Sequence, residues 1–174
     1  MTVALDAHDE AAPTARFTAT GEPFPLSAYD NKPVEFWPTA AIRLAVQSGD
    51  LTIWQRIVLA LRRDPYGRTA RQIEEVVETT SSPGITNALT EVLARSRTEL
   101  EADERAEVAR QVQALIDHSG LGPREFASRI GVSGEELVTY LEAHVSPSAA
   151  QLVRMRRLSH RFAKMKAQRS ARSD

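Results

Sequence analysis

The sequence contains no cysteine among its 174 residues. This absence excludes disulfide bonds, thiolate zinc sites and cysteine nucleophiles. The chain also lacks an apolar run long enough to span a membrane, and its first thirty residues lack the basic start and apolar stretch of a secretory signal. We therefore expect a cytoplasmic protein that does not enter a membrane.

Patterns typical of catalytic and metal sites are missing as well. The four histidines, His8, His118, His144 and His160, are far apart in the sequence, and none has a partner at metal-ligand spacing. The sequence contains neither a phosphate-binding glycine loop nor a nucleophile elbow. We predict that the protein is not an enzyme, has no catalytic residues, and binds no metal or cofactor.

Charge is distributed unevenly along the chain. The formal net charge is −1, yet residues 151–174 contain eight Lys and Arg residues and a single acid, whereas residues 1–150 are acidic on balance. A basic segment of this kind favours a polyanion such as DNA, or an acidic partner protein.

The N-terminal half divides into an arm and a helical segment. Residues 1–36 contain four prolines and no sustained apolar period, which predicts a flexible arm. Residues 37–100 show apolar residues at helical spacing and predict helices at 39–48, from the N-cap Asp50 to residue 63, at 69–78 and at 85–100. We interpret 37–100 as a helical domain for dimerisation or partner binding, and a second helix-turn-helix resembling a winged-helix core remains an alternative. The charged stretch 99–107 leaves open whether the last of these helices continues or bends.

The segment 101–166 carries the most specific pattern. An apolar stripe beginning at Val108 predicts a helix that ends at Ser119-Gly120, and short helices follow at 123–130 and 134–141. Ala127 is small where two crossing helices approach, Gly131 permits a left-handed turn, and Leu137 points back into the angle between the helices. A last helix is predicted at 149–166, followed by a basic tail at 167–174.

This combination resembles the lambda-repressor-like (Cro/C1, XRE) helix-turn-helix family over about residues 108–162, roughly a third of the chain. The resemblance implies an all-α DNA-binding domain in which the helix at 134–141 enters the major groove of double-stranded DNA. It also implies that Arg124 and Arg129 lie near the phosphate backbone. By position, the residues that would face the bases are Ser133, Gly134, Glu135, Glu136 and Thr139.

The last helix adds a basic face. Arg154, Arg157, Arg161 and Lys164 recur at three- and four-residue spacing and therefore share one side of that helix. We predict that these side chains contact DNA phosphates. A solvated basic stripe without a ligand is the alternative interpretation.

Three features depart from the family pattern. Pro123 stands where a glutamine often begins the second helix, and the loop 143–146 lacks the usual basic residues. Glu135 and Glu136 would approach a polyanion. One glutamate is compatible with a C·G pair, because a carboxylate accepts a hydrogen bond from the cytosine amine, but two adjacent acids weaken the electrostatic attraction to DNA.

The sequence thus predicts an all-α protein in which an N-terminal helical domain precedes a helix-turn-helix domain. Three functions remain open. The first is a transcriptional regulator, most simply a homodimeric repressor that binds an inverted repeat. The second is the DNA-binding antitoxin of a toxin–antitoxin pair, with residues 1–100 bound to the partner protein. The third is an interaction adaptor that does not bind DNA.

Overall fold

The computed structural model describes residues 26–29 and 31–172. These residues form seven α-helices, two short 3-10 helices and no strand, so the predicted all-α fold class is confirmed. The described residues divide into two compact units, and the division falls between Ala94 and Arg95; we call the part up to Ala94 unit 1 and the part from Arg95 unit 2. None of the described helices combines the length and the apolar character needed to cross a membrane.

Unit 1 is built around the segment that leads into its first α-helix. It contains the 3-10 helices Leu26–Tyr29 and Val34–Phe36, then α1 (Thr39–Ser48), α2 (Leu51–Arg63), α3 (Arg68–Thr79) and the beginning of α4 (Pro83–Ser119). The Trp37 side chain is fully buried, and its indole Nε1 donates a hydrogen bond to the Lys32 carbonyl at 2.9 Å. The Gln72 amide of α3 donates to the Trp37 carbonyl, also at 2.9 Å. These two bonds fasten the segment before α1 to the core of the unit.

The folded unit begins earlier than the predicted boundary at residue 37. Val34 is buried, and Leu26 and Tyr29 pack against the same core, so parts of 26–29 and 31–36 pack against unit 1 and do not belong to a flexible arm. Their apolar residues occur in short turns between prolines and polar residues, which is why no helical period is visible. The remainder of the predicted arm, residues 1–25, lies outside the described residues.

The ends of α1 and α2 follow local signals. Gly49 ends α1 in a left-handed conformation with φ of +75°. The Asp50 carboxylate then accepts hydrogen bonds from the backbone N–H groups of Thr52 and Ile53 at 2.8 and 3.3 Å, which is the expected N-cap arrangement. Both helices therefore have their predicted bounds. The described part of unit 1 contains no β-hairpin that could serve as the wing of a winged helix.

Helix α4 is continuous through the charged stretch 99–107. Of the two possibilities that the sequence left open, the helix therefore continues, and it ends at Ser119 as the apolar stripe from Val108 predicted. Ion pairs along the helix surface, such as Arg95 with Glu99 at 2.9 Å, are compatible with a helix that is exposed on most sides. Leu89 near its start belongs to the core of unit 1, and Val112 belongs to the core of unit 2. The boundary between the units falls after residue 94, not after residue 100 as predicted.

Unit 2 consists of the C-terminal part of α4, α5 (Pro123–Ile130), α6 (Gly134–Leu141) and α7 (Ala149–Ser170). The bounds of α5 and α6 agree with the prediction. Helix α7 extends beyond the predicted end at residue 166, so part of the predicted tail is helical, and residues 173–174 lie outside the described residues. The buried core of the unit consists of Val112, Ile116, Phe126, Ala127, Ile130, Leu137, Tyr140, Met155 and Leu158.

Candidate nucleic-acid interface

The connection between α5 and α6 has the geometry expected of a tight helix-turn-helix. Gly131 adopts a φ of +80°, and its N–H donates hydrogen bonds to the carbonyls of Ala127 and Ser128 at 3.1 and 3.3 Å. Ala127 and Leu137 are 1% and 2% exposed. The small residue, the turn residue and the inward-pointing leucine therefore occupy the positions that the sequence pattern predicted for them.

The beginning of α6 is open to solvent. Its N-cap is Ser133, whose hydroxyl accepts a hydrogen bond from the Glu136 N–H at 3.0 Å. Gly134 and Glu135 follow in the first turn, and both are exposed. Three of the five residues predicted to face bases, Ser133, Gly134 and Glu135, therefore lie together on one accessible surface.

The other two predicted base-facing residues are engaged within the protein. The Glu136 carboxylate accepts hydrogen bonds from the Tyr140 hydroxyl and, at 3.0 Å, from the Gln151 side-chain amide. The Thr139 hydroxyl donates to the Glu136 carbonyl at 2.8 Å. Glu136 is therefore directed towards α7, and Glu135 is the member of the acidic pair that is directed to solvent.

Burial affects the acid–base properties of this cluster. Tyr140 is 4% exposed, and burial is the main cause that raises the pKa of its phenol, followed by the hydrogen bond to Glu136. A raised pKa keeps the phenol protonated, so it continues to donate to the carboxylate.

Val138 is a surface residue of α6 that was not among the residues predicted to face bases. Its side chain is 47% exposed, and Glu142, one turn further on, is also exposed. Glu135, Val138 and Glu142 recur at i, i+3 and i+7, so they line the outer face of the helix. Counting forward from Glu135 at helical spacing would have found them. An exposed valine on such a face suits contact with the methyl group of thymine.

Helix α7 begins with a reciprocal capping box. The Ser148 hydroxyl accepts from the Gln151 N–H at 3.2 Å, and the Gln151 side chain accepts from the Ser148 N–H at 2.7 Å. The amide nitrogen of the same Gln151 side chain donates to Glu136. Gln151 therefore both stabilises the start of α7 and connects it to α6. The spacing of Ser148 and Gln151 indicates the first role, whereas no local sequence signal indicates the second.

The predicted basic face of α7 forms one wall of a groove. Arg154, Arg157 and Arg161 line it together with Arg129 of α5, and Leu158 lies among them; the groove has a volume of about 250 Å³. We call this feature the arginine groove. The remaining predicted phosphate contacts, Arg124 and Lys164, are exposed but do not line it.

Contacts within unit 2 fix the directions of three arginines in the arginine groove. The Arg129 guanidinium donates to the Glu125 carboxylate at 2.7 and 3.0 Å and lies 4.6 Å from the centre of the Phe162 ring. The Arg161 guanidinium lies 5.5 Å from the same ring, and Arg154 donates to the Ile130 carbonyl at 3.1 Å. Within residues 26–29 and 31–172, Glu125 is the one acid that pairs with an arginine of the groove.

Two further surface depressions occur in unit 2. One, of about 730 Å³, includes Glu101, Glu104, Glu107 and His144 among its lining residues, and Arg110 holds the pKa of Glu107 below its usual range through a side-chain hydrogen bond. The other, of about 470 Å³, includes His118 and His160, whose ring centres are 5.7 Å apart. Across the described residues, no group of three or more metal-ligating side chains is arranged to hold an ion.

Comparisons with protein-family models, with curated proteins and with solved structures gave no significant match to this chain. A functional interpretation therefore depends on the residues of unit 2 themselves. The features that bear on it are the exposed start of α6, its outer face with Val138, and the arginine groove.

Proposed function

We propose that the protein is a sequence-specific DNA-binding transcriptional regulator, which acts in the cytoplasm as a homodimeric repressor. The observation that carries this proposal is the turn at Gly131, which joins α5 to α6 while Ala127 and Leu137 are buried between them and the first turn of α6 is exposed. A short helix presented in this way fits the major groove, and its N-terminal residues reach the base edges.

The proposed base contacts come from the exposed face of α6. Ser133, Gly134 and Glu135 approach the bases, with Glu135 accepting a hydrogen bond from a cytosine amine and Val138 packing on a thymine methyl group. Glu136 and Thr139 do not contact the bases in this proposal, because their side chains form hydrogen bonds within the protein. These bonds stabilise the helix that carries the base-contacting residues.

The proposed phosphate contacts come from the basic residues around α5 and α7. Arg124, Arg129, Arg154, Arg157, Arg161 and Lys164 supply the positive charge that α6 lacks. Phosphate contacts fix the orientation of the protein on the duplex and provide most of the non-specific affinity. A dimer would bind an inverted repeat with half-sites about one helical turn apart.

Selection of duplexes from a genomic fragment library by the full-length protein tests the proposal. We expect one sequence to be enriched, with an affinity that falls steeply as salt rises. Arg157→Ala should reduce the slope of log K against log salt by about one, as expected for one lost phosphate contact. Arg156→Ala is the matched control, because it removes the same charge from the neighbouring residue, which lies outside the arginine groove.

Two results would contradict the proposal. Failure to enrich any duplex favours an interaction adaptor. Equal effects of Arg157→Ala and Arg156→Ala on the salt slope would indicate general charge attraction instead of docking by the α7 face.

We propose that unit 1 serves in dimerisation or in partner binding. Because an antitoxin binds a partner protein, the antitoxin function is the second candidate. Leu51 and Leu59 lie on α2 and are 70% and 65% exposed, and we take this helix as the candidate partner surface of unit 1. If α2 forms the homodimer, Leu59→Asp should give a monomer in light scattering. If α2 instead binds a toxin, the variant should retain its oligomeric state and lose the complex with that protein.

A further inference from the structure

The arginine groove concentrates positive charge on a small surface of unit 2. Four guanidinium groups line about 250 Å³, and one carboxylate, that of Glu125, pairs with them among the described residues. Like charges that line one groove repel one another, so the groove favours an anion that can contact several of them. We propose that the arginine groove is a binding site for a phosphate group.

The chemistry of the lining suits a phosphate group. Guanidinium groups donate paired N–H bonds whose geometry matches the oxygen atoms of phosphate. The volume of about 250 Å³ lies below the range of roughly 300–1,000 Å³ that is typical of pockets for drug-sized ligands. A groove of this size has room for a phosphate group.

Three of the four arginines are oriented before any ligand arrives. Phe162 lies beside the guanidinium groups of both Arg129 and Arg161, and the Ile130 carbonyl holds that of Arg154. Ordering long side chains opposes binding, so groups that are already held lose less entropy when the ligand binds. This preorganisation distinguishes the groove from a row of solvated arginines.

The site is separate from the helix that we propose to read bases. Its lining residues belong to α5 and α7, and none belongs to α6. A phosphate group can reach it from two sources, the backbone of bound DNA or a phosphorylated small molecule. The inference does not depend on DNA binding, because free phosphate tests it directly.

The experiment is a titration of the full-length protein with inorganic phosphate at constant ionic strength, followed by the NMR signals of the arginine Nε–H groups. We expect saturable shifts at Arg129, Arg154, Arg157 and Arg161. The double variant Arg157→Ala/Arg161→Ala should bind at least about tenfold more weakly, since it removes two charge-assisted contacts. Arg156→Ala should bind within about twofold of the unaltered protein.

A gain of affinity provides a second test that a folding defect cannot imitate. Glu125→Gln removes the carboxylate that competes for Arg129, and we expect phosphate affinity to rise several-fold. Shifts that do not saturate, a double variant that binds as well as the unaltered protein, or an unchanged affinity of Glu125→Gln would each overturn the proposal.

Competition with a selected duplex identifies the source of the phosphate group. Displacement of phosphate by the duplex assigns the groove to the DNA backbone, whereas simultaneous binding assigns it to a small molecule; either result supports the site. Binding of phosphate without binding of any duplex would support the phosphate site and contradict the proposed function. Binding of the duplex without binding of phosphate would support the proposed function and overturn the phosphate site.

Discussion

The Tyr140 hydroxyl donates a hydrogen bond to the Glu136 carboxylate, one turn earlier on α6. The same carboxylate oxygen accepts a bond from Gln151 at the start of α7. An acid in the first turn of a candidate recognition helix is therefore used to hold that helix against its neighbour. The position of α6 depends on this network as well as on the buried Leu137.

Removal of the Glu136 carboxylate should destabilise unit 2. Glu136→Ala leaves the Tyr140 hydroxyl and the Gln151 amide without their partner, so we expect the free energy of unfolding to fall by about 1–3 kcal/mol in urea denaturation. Glu135→Ala is the matched control, because its exposed side chain contributes only through the helix dipole, by about 0.3–1 kcal/mol. Equal losses for the two variants would show that the network adds no stability.

The raised pKa of Tyr140 predicts a loss of stability in alkaline solution. Burial, and then the bond to Glu136, raise the pKa of the folded phenol above its ordinary value of 10.0. Its contribution to the free energy of unfolding is therefore fully present below that value and is lost as the pH rises through the folded pKa. Tyr140→Phe should remove this part of the pH dependence. Alkaline titration followed by tyrosinate absorbance measures the folded pKa, and a Tyr140 phenol that titrates at or below 10.0 would contradict the expectation.

The turn at Gly131 should not tolerate a side chain. The nearest atom to a Cβ placed there is an Arg154 nitrogen at 3.8 Å, which is an ordinary contact, so the cost arises from the φ of +80°. We expect Gly131→Ala to lower the free energy of unfolding by about 1–2 kcal/mol. Gly134→Ala, at a helical position with open space around it, should be neutral or stabilising by up to about 1 kcal/mol. Thermal unfolding followed by circular dichroism measures the stability of both variants. A larger loss of stability for Gly134→Ala than for Gly131→Ala would contradict the expected strain at Gly131.

The exposed valine on α6 should affect specificity more than stability. If Val138 packs on a thymine methyl group, Val138→Ala should reduce discrimination at one base pair of the selected duplex by about 1–3 kcal/mol and leave the other positions unchanged. Val153→Ala on α7, where the valine is 44% exposed, is the control. Binding to a panel of single-base variants of the duplex makes the measurement. A uniform loss at every position would mean that Val138 does not contact a base.

Local signals predicted most of the helix-turn-helix. Pro123 begins α5, Gly131 ends it and Ser133 caps α6, and each signal acts within a few residues, so the bounds of both helices could be derived from the sequence. The charged stretch 99–107 gave no apolar stripe, and the continuity of α4 could not be decided from it. The 3-10 helices before α1 were missed because such short turns have no detectable period.

The candidate site was predictable in part. The basic face of α7 follows from helical spacing alone. The role of Glu136 does not, because Gln151 lies fifteen residues further along the chain and meets it only after α6 and α7 have packed. The arginine groove likewise needs Arg129 of α5 and Arg157 of α7 to line one groove, an arrangement that depends on tertiary structure.

The continuity of α4 has a consequence for hydrogen exchange. Leu89 and Leu93 stabilise its first turns through the core of unit 1, and Val112 and Ile116 stabilise its last turns through the core of unit 2. Residues 101–104 between them are all exposed, so their amide groups are protected by helical hydrogen bonds with little help from packing. Local opening should be easiest there, and a single helix should show two slowly exchanging ends separated by a rapidly exchanging centre.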